Sequence, residues 1–65
     1  MFKAYKRLFD LYFQFYTEDC RENKIDSCSF YRIKLLGMLS LMDEVGAVDL
    51  DTILRERDLV DEKFI

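Results

Sequence analysis

Seven of the ten aromatic residues fall within residues 2 to 16, FKAYKRLFDLYFQFY, and any fold this chain adopts has to cover them. Read at helical spacing, Phe2, Tyr5, Phe9, Tyr12 and Tyr16 recur at steps of three and four and form one aromatic stripe. Ala4, Leu8, Leu11 and Phe15 form a second stripe on the neighbouring face. On a helical wheel of about 100° per residue the stripes merge, with Phe13 at one edge, into an apolar arc of roughly 200°. An arc that wide needs more than one partner surface. LYFQFY also suits a strand by propensity. A two-residue alternation breaks at the adjacent Tyr12 and Phe13, however, whereas the three-four spacing holds throughout.

The spacing therefore predicts helix 1 over residues 2 to about 20, with Asn23 as a left-handed stop. The polar residues 17 to 29 read as a solvated connection, and Asp26, Ser27 and Ser29 are N-cap candidates for the second helix. Helix 2 is predicted over about 29 to 45. Its stripe is Cys28, Tyr31, Leu35, Met38, Met42 and Val45, widened by Phe30, Leu39 and Leu41. Ile33 and Leu36 lie near the opposite side, so this helix is apolar on most of its circumference and is expected to be touched from two directions. Gly37, beside Ile33 and Ser40, leaves a shallow groove and is expected to mark the close approach of an aromatic ring from helix 1. At residues 45 to 49, VGAVD, the signals converge on a tight turn with Gly46 in the left-handed position and Asp49 or Asp51 as the next cap. Helix 3 is predicted over 50 to 63. Leu50, Ile53, Leu54, Val60 and Phe64 share a face that Arg57 and Asp61 interrupt, and Phe64 and Ile65 are apolar enough to dock. Arg57 either lays its stem over the core or pairs with a carboxylate across an interface. The fold class is all-α: a small three-helix domain in which helices 1 and 2 form an antiparallel hairpin, with a shorter helix 3 packed across it, assembled as a dimer.

Sixty-five residues make one small domain, a length at which much of the surface stays exposed and a disulfide, a metal, a partner or a second copy usually supplements the core. Hydrophobic residues make up 51% of the chain, which excludes a disordered composition. There is no proline and there are only two glycines, which favours helices over a turn-rich β fold. The two cysteines, Cys20 and Cys28, show no CxxC pairing, and no histidine is present. Their expected state is two free thiols in a reducing cytoplasm, with a disulfide or a redox switch as the alternative. A zinc site would need acidic ligands or a second chain, and a thiol nucleophile would lack its usual histidine base. No metal, cofactor or catalytic residue is predicted, and the chain does not read as an enzyme. Lys3, Lys6 and Arg7 precede an apolar run, but Asp10 and Gln14 interrupt it and no small-residue cleavage site comes after it, so a targeting signal is not expected. The expected location is cytoplasmic.

Charge is unevenly divided. Residues 1 to 34 carry seven basic and five acidic side chains, a net of +2; residues 35 to 65 carry three basic and eight acidic, a net of −5. The 45 to 49 turn has the order of signals found in helix-turn-helix turns. The segment in the recognition-helix position, residues 50 to 63, carries five acidic against three basic residues and would be repelled by phosphates. Nucleic acid is not an expected partner.

What remains is a small helical protein–protein interaction module. Its expected partners are a second copy of itself and a larger protein that it regulates or inhibits, because a large exposed apolar patch usually marks an interface. The interface residues predicted from sequence are Tyr5, Phe9, Tyr12 and Tyr16 on helix 1, Gly37 on helix 2 and Arg57 on helix 3. Peripheral membrane binding through the aromatic helix 1 and a thiol switch using Cys20 and Cys28 are the alternatives.

Overall fold

In a computed structural model, which describes residues 2–64 (the Phe2 side chain excepted), the chain folds into three α-helices and a slab with principal extents of 34 × 20 × 13 Å. The helices are α1 (Phe2–Arg21), α2 (Ile25–Glu44) and α3 (Leu50–Lys63), and no strand occurs among the described residues. The expected roles of the Phe2 ring and of Ile65 lie outside that description. The most extensive contact is between α1 and α2. They run antiparallel: the C-terminal end of α1 is joined to the first turn of α2 through Cys20 and Cys28, and Leu8 and Leu41 line one groove near the other end.

The connection between α1 and α2 is three residues long, much shorter than the polar stretch suggests. Asn23 adopts φ 58°, and the Lys24 and Asn23 amides donate back to the Asp19 and Cys20 carbonyls at 2.9 and 3.2 Å. This left-handed closure satisfies the last carbonyls of α1 and reverses the chain at once. Helix α2 therefore starts at Ile25, four residues ahead of the boundary read from sequence, and none of the three candidate caps is used. Its N-cap is Lys24, which makes no side-chain cap hydrogen bond. The second connection matches the sequence reading closely. Gly46 adopts φ 68°, and Asp49 caps α3, its carboxylate accepting from the Thr52 amide at 3.3 Å and the Thr52 hydroxyl at 2.6 Å. These bonds hold the Asp49 carboxyl below its ordinary range.

The core is Phe9 and Tyr16 from α1, Cys28, Leu35 and Leu39 from α2, and Ile53 and Val60 from α3. Tyr5, Tyr12, Phe13, Tyr31 and Met42 pack around it, half-buried. The aromatic stripe of α1 thus faces inward as a run of ring contacts, from Tyr5 to Phe9 at 6.0 Å, Phe9 to Phe13 at 6.3 Å and Phe13 to Tyr16 at 6.0 Å. The second stripe does not share this burial. Leu8 and Leu11 are each 45% exposed and Phe15 is 36% exposed. Phe9→Ala is expected to cost about 3–5 kcal/mol, and Leu8→Ala about 1 kcal/mol or less. Chemical denaturation of the two variants at low protein concentration measures both.

Candidate functional site

The hairpin has two broad sides, and α3 covers one. On the covered side Tyr16 is fully buried and its hydroxyl donates a hydrogen bond to the Val60 carbonyl of α3. Burial pushes this hydroxyl above its ordinary pKa, against the opposing pull of nearby Arg32 and with a smaller push from Asp61. Arg32 of α2 pairs with Asp61 at 2.9 Å, and its guanidinium lies 5.0 Å from the centre of the Phe64 ring. Burial also raises the Tyr5 hydroxyl pKa, with Glu56 of α3 adding to it. Tyr5, Lys6, Phe9, Val48, Ile53 and Glu56 are among the residues around a small, mostly apolar cleft of about 70 Å³ at this end of the α1–α3 contact.

The other side is uncovered. Its α1 row is Ala4, Leu8, Leu11 and Phe15; its α2 row is Phe30, Gly37 and Leu41, flanked by Ile33 and Val45. Phe30 and Leu41 are 55% exposed, Val45 63% and Ile33 68%. Between the rows runs an open groove lined by Leu8, Tyr12, Lys34, Gly37, Met38 and Leu41. The Lys34 ammonium sits 5.1 Å from the Phe30 ring centre and 5.9 Å from that of Tyr12, where each ring face favours a cation. Tyr31 braces the floor, 5.9 Å from Tyr12 and 5.8 Å from Phe15.

Of the six interface residues predicted from sequence, the structure brings only Tyr12 and Gly37 to this groove. Phe9 and Tyr16 are 3% and 0% exposed and belong to the chain's own core. That corrects the expectation that a second chain meets them: α3 reaches the aromatic stripe first. Tyr5 is half-buried at the opposite cleft. Gly37 is exposed, and a Cβ built on it would meet nothing within 4 Å, so no ring of α1 fills the hole it leaves. Arg57 is exposed and makes no ion pair among the described residues; Arg32 is the arginine that lies over the core. The sequence carries a signal for the uncovered face, because Ala4, Leu8, Leu11 and Phe15 form a stripe of their own beside the aromatic one.

The expectation of two free thiols is also corrected. Cys20 and Cys28 are bonded, with an S–S distance of 2.05 Å and Cα atoms 5.4 Å apart, well inside disulfide range. The early start of α2 is the reason: it places Cys28 in a helix, fully buried, facing the end of α1 rather than in a solvated loop. Among the described residues no group of three or more His, Cys, Asp or Glu side chains could hold a metal ion, and no helix is long and apolar enough to cross a membrane. No protein family model, curated protein or solved structure matches the chain.

Tyr16→Phe removes the donor to the Val60 carbonyl while keeping the ring, and leaves that carbonyl unsatisfied in the core. The expected cost is about 1–2 kcal/mol, with α3 amides losing more hydrogen-exchange protection than α1 amides.

Proposed function

We propose that this chain is a small helical protein–protein interaction module that associates with itself and regulates or inhibits a larger protein by occupying its surface. The observation that carries the reading is the bare outer side of the α1–α2 hairpin. Leu8, Leu11, Phe15, Phe30 and Leu41 are all one-third exposed or more on one face, and contiguous apolar surface of this kind marks interaction sites. A monomer keeps that surface in water at roughly 25 cal/mol for each Å², and an apolar partner face relieves it. Tyr12 suits the rim, with its ring on the groove and a hydroxyl that water can reach. Phe9, Phe13 and Tyr16, rings that a bilayer-bound helix 1 would insert, are packed in or against the core, so the face favours protein over lipid.

Leu41→Glu places a carboxylate on this face without touching the core. Light scattering after size exclusion, over a hundredfold concentration range (roughly, two decades around the association midpoint), is expected to show association for the parent chain and its loss for Leu41→Glu, with the helical circular dichroism unchanged. Undiminished association of the variant would mean that the chain associates through another surface.

The Cys20–Cys28 bond supports a second reading, a thiol switch. It closes a loop with a sequence separation of 8 across the turn of the hairpin. In the chain-entropy picture such a loop contributes about 2–3 kcal/mol. Opening it by exchange with a small-molecule dithiol, which is itself oxidised to its disulfide, is expected to lower the melting temperature and change the molar mass. A Cys20→Ser, Cys28→Ser chain with the same molar mass as the oxidised protein at every concentration would leave the bond a purely structural staple.

A further inference from the structure

Resting on the thiol-switch reading, we infer that the Cys20–Cys28 bond is opened from one side only, by a small anionic thiol that attacks the Cys20 sulfur. The two cysteines differ in access. Cys28 lies near the start of α2 with none of its surface exposed, whereas Cys20 is partly exposed in the last turn of α1. Together with Thr17, Arg21 and Lys63, Cys20 lines an open polar hollow where the end of α1 meets the end of α3. Cys28 does not line it. Exchange needs contact between an incoming thiolate and one sulfur of the bond, so the hollow makes Cys20 the point of attack.

The hollow also selects by charge. Arg21 and Lys63 reach it from two helices, both are exposed, and neither makes an ion pair among the described residues. Thr17 donates its hydroxyl hydrogen to the Phe13 carbonyl at 2.8 Å, so the two cations are the groups that meet an incoming anion. The neighbouring carboxylates of Glu18, Asp19, Glu22 and Glu62 do not line the hollow, and Glu22 is paired with Lys24 at 3.2 Å. The whole chain carries a net charge of −3, which by itself favours a cationic thiol. A preference for an anionic one therefore comes from the local pair of cations. The step is a thiol–disulfide exchange. The incoming thiolate bonds to the Cys20 sulfur as the Cys20–Cys28 bond breaks, and Cys28 leaves as a thiolate that takes a proton from water. The product is a mixed disulfide on Cys20, with the added anionic group beside Arg21 and Lys63, and a reduced, buried Cys28. Attack by the Cys28 thiolate on that mixed disulfide expels the added thiol and restores the original bond.

The test treats the full-length oxidised protein with mercaptoacetate or, separately, with cysteamine, thiols of similar size and opposite charge, and compares rates per thiolate. The reaction is stopped in acid, free thiols are alkylated in the unfolded chain, and the adduct is located by mass mapping. Tryptic cleavage after Lys24 puts the two cysteines in separate peptides. The adduct is expected on Cys20, with Cys28 alkylated. Mercaptoacetate is expected to react about fivefold faster than cysteamine at low salt, and a chain carrying both Arg21→Gln and Lys63→Gln is expected to lose that advantage. An adduct that forms first on Cys28 overturns attack at Cys20. Cysteamine reacting as fast as mercaptoacetate, or an advantage that survives the double substitution, overturns the selection by charge. Failure of the thiol-switch reading is seen separately, as an unchanged molar mass in the Cys20→Ser, Cys28→Ser chain.

Discussion

Helix α3 is fourteen residues long, against twenty for each arm of the hairpin. At about 1.5 Å per residue it spans roughly 21 Å beside arms of roughly 30 Å. One helix of that length covers one side of a two-helix layer, and the rest of the molecule's character depends on which side it takes. It takes the side bearing Phe9, Tyr16, Leu35 and Leu39, and those become the core. The rows containing Leu8, Leu11, Phe15, Phe30 and Leu41 are left in water by the same choice. A longer α3, or a fourth helix, would remove the candidate site altogether.

Two neighbouring fastenings hold this arrangement, both toward the hairpin-turn end. Near the C-terminus of α3, the Tyr16 hydroxyl bonds the Val60 carbonyl, and Arg32 pairs with Asp61 while lying over Phe64. At the hairpin turn, Asn23 closes α1 and the Cys20–Cys28 bond ties it to α2. Seven buried hydrophobic residues form a small core, and a chain of this size ordinarily needs such supplements. The salt bridge is half-exposed and its own contribution is small; the guanidinium matters more as a cover for the ring beneath it.

Much of this is legible in the residues. The three helices, the left-handed Asn23 and Gly46, and the Asp49 cap each come from a local rule that the tertiary structure does not override. The errors share one cause. Periodicity reports that a residue lies on an apolar stripe, not which neighbour reaches that stripe first. Tyr5, Phe9, Tyr12 and Tyr16 look like surplus surface because they are aromatic and numerous, yet α3 consumes most of them. The plainer Leu8, Leu11 and Phe15 stripe is what remains. The disulfide escapes a sequence reading because polar residues around Cys28 suggest a loop, although Cys28 lies seven residues before the buried Leu35 and Cys20 four after the buried Tyr16, both on core stripes. Nothing local distinguishes Arg32 from Arg57; only the crossing of α3 over α2 decides which arginine covers a ring.

The proposal that depends most on this arrangement is that copies of this chain meet through the bare hairpin face. Intermolecular nuclear Overhauser effects in a mixture of isotopically labelled and unlabelled protein test it most directly. Intermolecular cross-peaks are expected among the Leu8, Leu11, Phe15, Phe30 and Leu41 side chains, with α3 silent. Intermolecular cross-peaks confined to α3, or none from the hairpin face in an associated sample, would contradict it.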